Sequence, residues 1–76
     1  MHTAQPATAE LSAELQAALA TLPDHQRDAF LVVEMLELRY REAAEVLGVP
    51  EGTVKSRVFH ARQALVAWFE EAGDDP

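Results

Sequence analysis

Leucines recur near the start of the chain at Leu11, Leu15, Leu19 and Leu22, with alanine filling much of the space between. Spacings of four and three put them on one face of a helix of about three turns. Thr8 is its candidate N-cap, and Glu10 falls in the first turn, where a carboxylate favours the helix dipole. Pro23 ends it, because the residue before a proline is pushed out of the helical region. The same proline suits the first turn of a second helix, where its missing N–H leaves no bond unmade. That helix is predicted to run to about Leu38. Ala29, Leu31, Val32, Val33, Met35, Leu36 and Leu38 cover most of its circumference, leaving a strip of Arg27, Glu34 and Glu37 with Phe30 among them. A helix so broadly apolar either lies at the centre of a bundle or exposes a docking surface, and in a four-helix domain the central position is expected.

Arg39 to Leu47 reads as a short third helix with Ala43, Ala44 and Leu47 inward, punctuated by Gly48. Val49 and Pro50 lead into a fourth helix from about Glu51 to Ala72. Its stripe is Val54, Val58, Ala61, Leu65, Trp68 and Phe69, spaced by one, three and four. Trp68 and Phe69 are read as core. Gly73 is the expected C-cap. Residues 1–8, polar and containing Pro6, read as a flexible tail or linker remnant, and residues 73–76 as a frayed end. No strand period, internal repeat or low-complexity block appears. The expectation is a small all-α, four-helix domain over residues 9–72 with a C-terminal helix-turn-helix.

The third and fourth helices carry the constellation that points to function. A DNA-reading helix-turn-helix needs a small residue where the helices cross, a turn residue able to take positive φ, and a branched apolar residue facing back. Ala44, Gly48 and Val54 fill these positions in order, and Leu47, Val49 and Val58 complete the shared core. An ordinary helical hairpin within a bundle is the bland alternative. The opposite face of the fourth helix argues against it. At 100° per residue from Val54, Gly52, Ser56, Phe59, His60 and Gln63 lie between about 140° and 240°, with Lys55 at about 100°. Hydrogen-bonding groups, a cation and a ring that can meet thymine methyls thus share the outward face. Gly52 and Thr53 would let the backbone approach a phosphate at the helix N-terminus.

Composition changes this picture less than it first threatens to. The chain has 76 residues, 49% hydrophobic and 25% charged, which are globular values with room for one small core. Cysteine is absent, which excludes a disulfide-stapled secreted mini-domain and a thiolate zinc module. No apolar run approaches the roughly 18 residues of a membrane span, and the first ten residues lack the pattern of a signal peptide, so a cytoplasmic protein is expected. The net charge of −7 argues against nucleic acid until it is divided along the chain. Residues 1–38 sum to −5 and residues 67–76 to −4, whereas residues 39–66 sum to +2. Five of the six cations, Arg39, Arg41, Lys55, Arg57 and Arg62, sit in the helix-turn-helix. The field is polarised rather than uniformly negative.

Several runs also carry a family resemblance. They are Leu22-Pro23 with Gln26-Arg27, then Tyr40-Arg41-Glu42-Ala43-Ala44-Glu45-Val46-Leu47-Gly48-Val49-Pro50. Glu51-Gly52-Thr53-Val54-Lys55-Ser56-Arg57 and Ala61-Arg62-Gln63-Ala64-Leu65 follow. Over about residues 9–70 the chain resembles region 4 of bacterial sigma factors, and is most similar to the extracytoplasmic-function type. The resemblance implies a domain that reads the −35 promoter element in the major groove and docks on the β-subunit flap of RNA polymerase. An anti-sigma factor that masks it is a further implied partner. Lys55, Ser56, Phe59 and His60 match family positions that touch bases, and Tyr40, Arg41, Thr53 and Arg57 match positions near phosphates. Arg62 is an additional candidate backbone contact, nearer the core direction. His60 stands where relatives often have arginine, replacing a bidentate guanine contact by a weaker, pH-sensitive one. Arg39 stands where a serine cap is usual, so the third helix is expected to be poorly capped. The region that opens the −10 element is not represented, so the chain reads as a separated domain.

Other chemistries find little support. His2, His25 and His60 are far apart and have no partners at metal-ligand spacing, Ser56 has no evident base, and no glycine-rich phosphate loop exists. Neither an enzyme nor a cofactor is expected. Two rivals remain from the sequence: a response-regulator output helix-turn-helix, and an interaction module that never meets DNA.

Overall fold

The computed structural model describes residues 11–73. In chain order its helices are α1 (Ala13–Ala20), α2 (Asp24–Phe30) with a π-helical continuation (Leu31–Met35), α3 (Tyr40–Leu47) and α4 (Glu51–Gly73). No strand occurs among the described residues, so the all-α expectation holds. The expected tail 1–8, the Thr8 cap, Glu10 and the end 74–76 lie outside the described residues.

Helix α1 opens later than its leucine spacing predicts. Ser12 is the N-cap, its Oγ accepting from the Leu15 N–H at 3.0 Å. A serine cap fixes the start at Ala13 and limits α1 to 8 residues, about two turns. Leu11 precedes the helix yet still packs on the core. Pro23 opens α2 from the N-cap, one position before the first turn expected of it, its carbonyl accepting from Gln26 and Arg27 at 3.1 and 3.0 Å.

The second helix does not continue to Leu38. From Leu31 the turn widens, and the Leu36 N–H donates to the Leu31 carbonyl five residues back at 3.1 Å. Glu37 then takes a φ of 59°, which ends the helix without a glycine to advertise the stop. Nor is this helix the central element. Helix α4, with 23 residues and a length of about 34 Å, is long enough for α1, α2 and α3 all to pack against it.

Two apolar clusters are strung along α4. Ala18, Leu19 and Leu22 meet Ala61 and Leu65 in the first, while Ala29 and Ala43 meet Val54 and Val58 in the second. The broad apolar surface of the second helix follows from serving both. Phe30 and Leu31 pack on the first cluster, Val32, Val33 and Leu38 on the second. Phe30 is therefore not part of a polar strip. Trp68 is half-buried on the first cluster, but Phe69, expected in the core, is 41% exposed and meets Trp68 edge-to-face. Gly73 is the last helical residue and lacks the positive φ expected of a C-cap.

Candidate nucleic-acid interface

Helix α3 starts at Tyr40 with Arg39 as N-cap in extended conformation. A guanidinium offers no acceptor, so the cap comes from the other direction. The Glu42 carboxylate accepts from the Arg39 N–H at 2.9 Å, and the helix start is better satisfied than the arginine predicts. At the far end Gly48 has a φ of 71°, and the N–H groups of Gly48 and Val49 both donate to the Ala44 carbonyl, at 2.8 and 3.1 Å. This left-handed cap turns the chain into Val49-Pro50 and α4.

The crossing of α3 and α4 contains the expected residues with one shift. Ala44, Leu47 and Val49 pack around fully buried Val54 and Val58, but the fully buried alanine of α3 is Ala43. Ala44 is half-buried and contributes its carbonyl to the turn, while Gly48 is exposed there. With its inner face spent on this contact, α4 turns its other face to solvent.

Lys55, Ser56, Phe59 and His60 are all exposed on that outer face, Phe59 at 57%. His60 joins two of the others: Ser56 Oγ lies 3.5 Å from His60 Nδ1, and the Phe59 and His60 rings meet edge-to-face with centroids 5.5 Å apart. Lys55 Nζ sits 5.7 Å from the Tyr40 ring centroid and 3.9 Å from a Glu51 carboxylate oxygen. At 3.9 Å the Glu51 pair is beyond hydrogen-bond reach, so the ammonium stays available beside the junction of the two helix N-termini. At this junction Arg39, Tyr40, Arg41 and Glu51 line a shallow cleft of about 400 Å³. Arg41 is exposed, and Thr53 and Arg57 are half-buried in the first two turns of α4.

Arg62 stands apart from this group. Its guanidinium is paired with the Glu34 carboxylate, which reaches it from the π-helical turn. The Glu51–Lys55 pair is legible as an i,i+4 spacing. Glu34 and Arg62 are 28 residues apart, and only the packing of α2 on α4 brings them together.

A family model described as "Sigma-70, region 4" matches residues 12–65, from the cap of α1 through the whole candidate interface. The chain belongs to this family. Among sigma-70 region 4 relatives, it is 46% identical over 54 residues to a probable RNA polymerase sigma-C factor of Mycobacterium bovis, covering 71% of this chain and 29% of that protein. It is 33% identical over 66 residues to the ECF RNA polymerase sigma factor SigM of Bacillus subtilis, covering 87% of this chain and 40% of the relative. With SigW of the same organism the identity is 39% over 56 residues, covering 74% and 30%. The matched stretch of this region 4 chain thus spans well under half the length of these sigma factors. Among the described residues, no helix is long and apolar enough to cross a membrane.

Proposed function

We propose that residues 9–72 form a promoter-recognition domain of a sigma factor, reading the −35 element with the outer face of α4 laid in the major groove. The supporting observation is that Lys55, Ser56, Phe59 and His60 are all exposed on the face of α4 that the core does not use, with His60 in contact with both Ser56 and Phe59. Lys55 is assigned to acceptors on base edges, Ser56 and His60 to hydrogen bonds, and Phe59 to thymine methyls. Tyr40, Arg41, Thr53 and Arg57 take the phosphates on either side and set the register. The cleft at the N-termini of α3 and α4 adds Arg39 to this positioning set. The activity is recognition rather than catalysis, with no cofactor, and it takes place in the cytoplasm.

Acidic segments flank the reading unit, so the isolated domain holds DNA weakly and RNA polymerase, through the flap of its β subunit, supplies the rest of the affinity. An anti-sigma factor is the further partner. The test is a salt titration of binding to a −35 duplex and to a scrambled one. Arg39, Arg41, Lys55 and Arg57 together give a slope of log K against log salt of roughly −3.5. Absence of salt-dependent binding, with no difference between the two duplexes at low salt, would instead favour a module that meets only proteins.

A further inference from the structure

We propose that Glu34 masks Arg62 from the DNA backbone, so that a cation on the reading helix is withheld from phosphate by an acid on α2's π-helical extension. This inference rests on the DNA-reading role proposed above. Arg62 lies one turn beyond Phe59 on α4, and the two share the rim of one surface hollow with Gln63 and Val66. Its side chain remains 54% exposed, so it sits at the margin of the interface with its charge already answered. Glu34 differs from the other acids. Among the described residues it is the one half-buried carboxylate, its side chain 31% exposed.

The backbone explains how Glu34 reaches across. In an unbroken α-helix residues seven apart nearly superimpose, which would stack Glu34 over Arg27. Arg27 instead reaches back to Asp24 at 2.6 Å and to the Leu22 carbonyl at 3.2 Å. The wider π turn advances less per residue and changes the register after Phe30, so Glu34 faces α4. Isolated surface ion pairs contribute little to stability. Its effect is electrostatic: one of the six cations of the chain is paired beside the reading face.

The test compares the 76-residue wild type, Arg62→Ala, Glu34→Gln and the double variant by fluorescence anisotropy on a −35 duplex across a salt series. Masking predicts that Arg62→Ala leaves the salt slope unchanged. It predicts that Glu34→Gln steepens the slope by about 0.9 and tightens binding about eightfold at 0.1 M salt, the yield of one added phosphate contact. The double variant should return to the wild-type slope. A slope about 0.9 shallower in Arg62→Ala would mean that Arg62 already contacts phosphate, and would overturn the proposal. A Glu34→Gln gain that survives in the Arg62→Ala background would also overturn it, because simple removal of a repelling carboxylate would then suffice. So would an unchanged slope in Glu34→Gln with a wild-type thermal melt. If Glu34→Gln fails to fold, Glu34→Ala takes its place under the same expectations. Absence of salt-dependent duplex binding in the wild type would remove the DNA-reading role itself, and with it the mask.

Discussion

Gly48 and Gly52 offer a controlled comparison, because a methyl group added at either meets nothing within 4 Å. Steric clash is thereby removed from both substitutions and only backbone preference is left. Gly48 holds a φ of 71°, where an L-residue with a Cβ is penalised by about 1–2 kcal/mol. Gly48→Ala is therefore expected to destabilise the domain by about that amount. For a domain of this size each kcal/mol moves the melting temperature by roughly 4–8 °C. Gly52 lies in the first turn of α4 without positive φ, and in a helix alanine is preferred over glycine by up to about 1 kcal/mol. Gly52→Ala should raise the melting temperature by a few degrees. Gly48→Asn should recover part of the loss, since asparagine enters the left-handed region more readily. Far-UV circular dichroism melts of the three variants give the comparison. Shifts of the same sign at both glycines, or an asparagine no better than alanine at position 48, would refute the view that the turn is held by backbone conformation.

Lys55→Ala and Phe59→Ala should each relax base preference by about 1–3 kcal/mol in competition between −35 and mismatched duplexes, while Arg41→Ala should weaken all duplexes alike; equal losses from all three would refute the assigned roles. Val58 is fully buried between α3 and α4, so Val58→Ala should lower stability by about 2–3 kcal/mol in urea denaturation, combining lost transfer free energy with a residual cavity. Ser12→Ala removes the bond to the Leu15 N–H and should lower stability by about 1 kcal/mol, with duplex binding unchanged once folding is corrected for.

Much of the fold was legible because the signals are local. Proline at the start of α2, glycine in the left-handed turn and the three-and-four spacing of Val54, Val58, Ala61 and Leu65 each act through the backbone or one helix face. The exposed patch was legible for the same reason: once the inner stripe of α4 is fixed, helix geometry fixes what lies opposite. The errors fall where two elements compete for one residue. A helix apolar on nearly every side suggests a central position, yet its surface is divided between two clusters strung along α4. Alanine spacing alone could not tell whether Ala43 or Ala44 would be swallowed at the crossing.

By itself, then, the sequence determined four helices, their turn chemistry, which residues share the outward face of α4 and the concentration of cations in α3 and α4. Periodicity, caps and charge are properties of neighbouring residues along the chain. Only the tertiary structure decided which helix is central, where the second helix breaks into a π turn, and which cations remain available. Helix geometry already sets Arg62 nearer the core direction, but nothing around it in the sequence reveals a carboxylate partner. Burial against α4 makes the difference, because it brings Glu34 within reach across 28 residues and converts a free charge into a paired one.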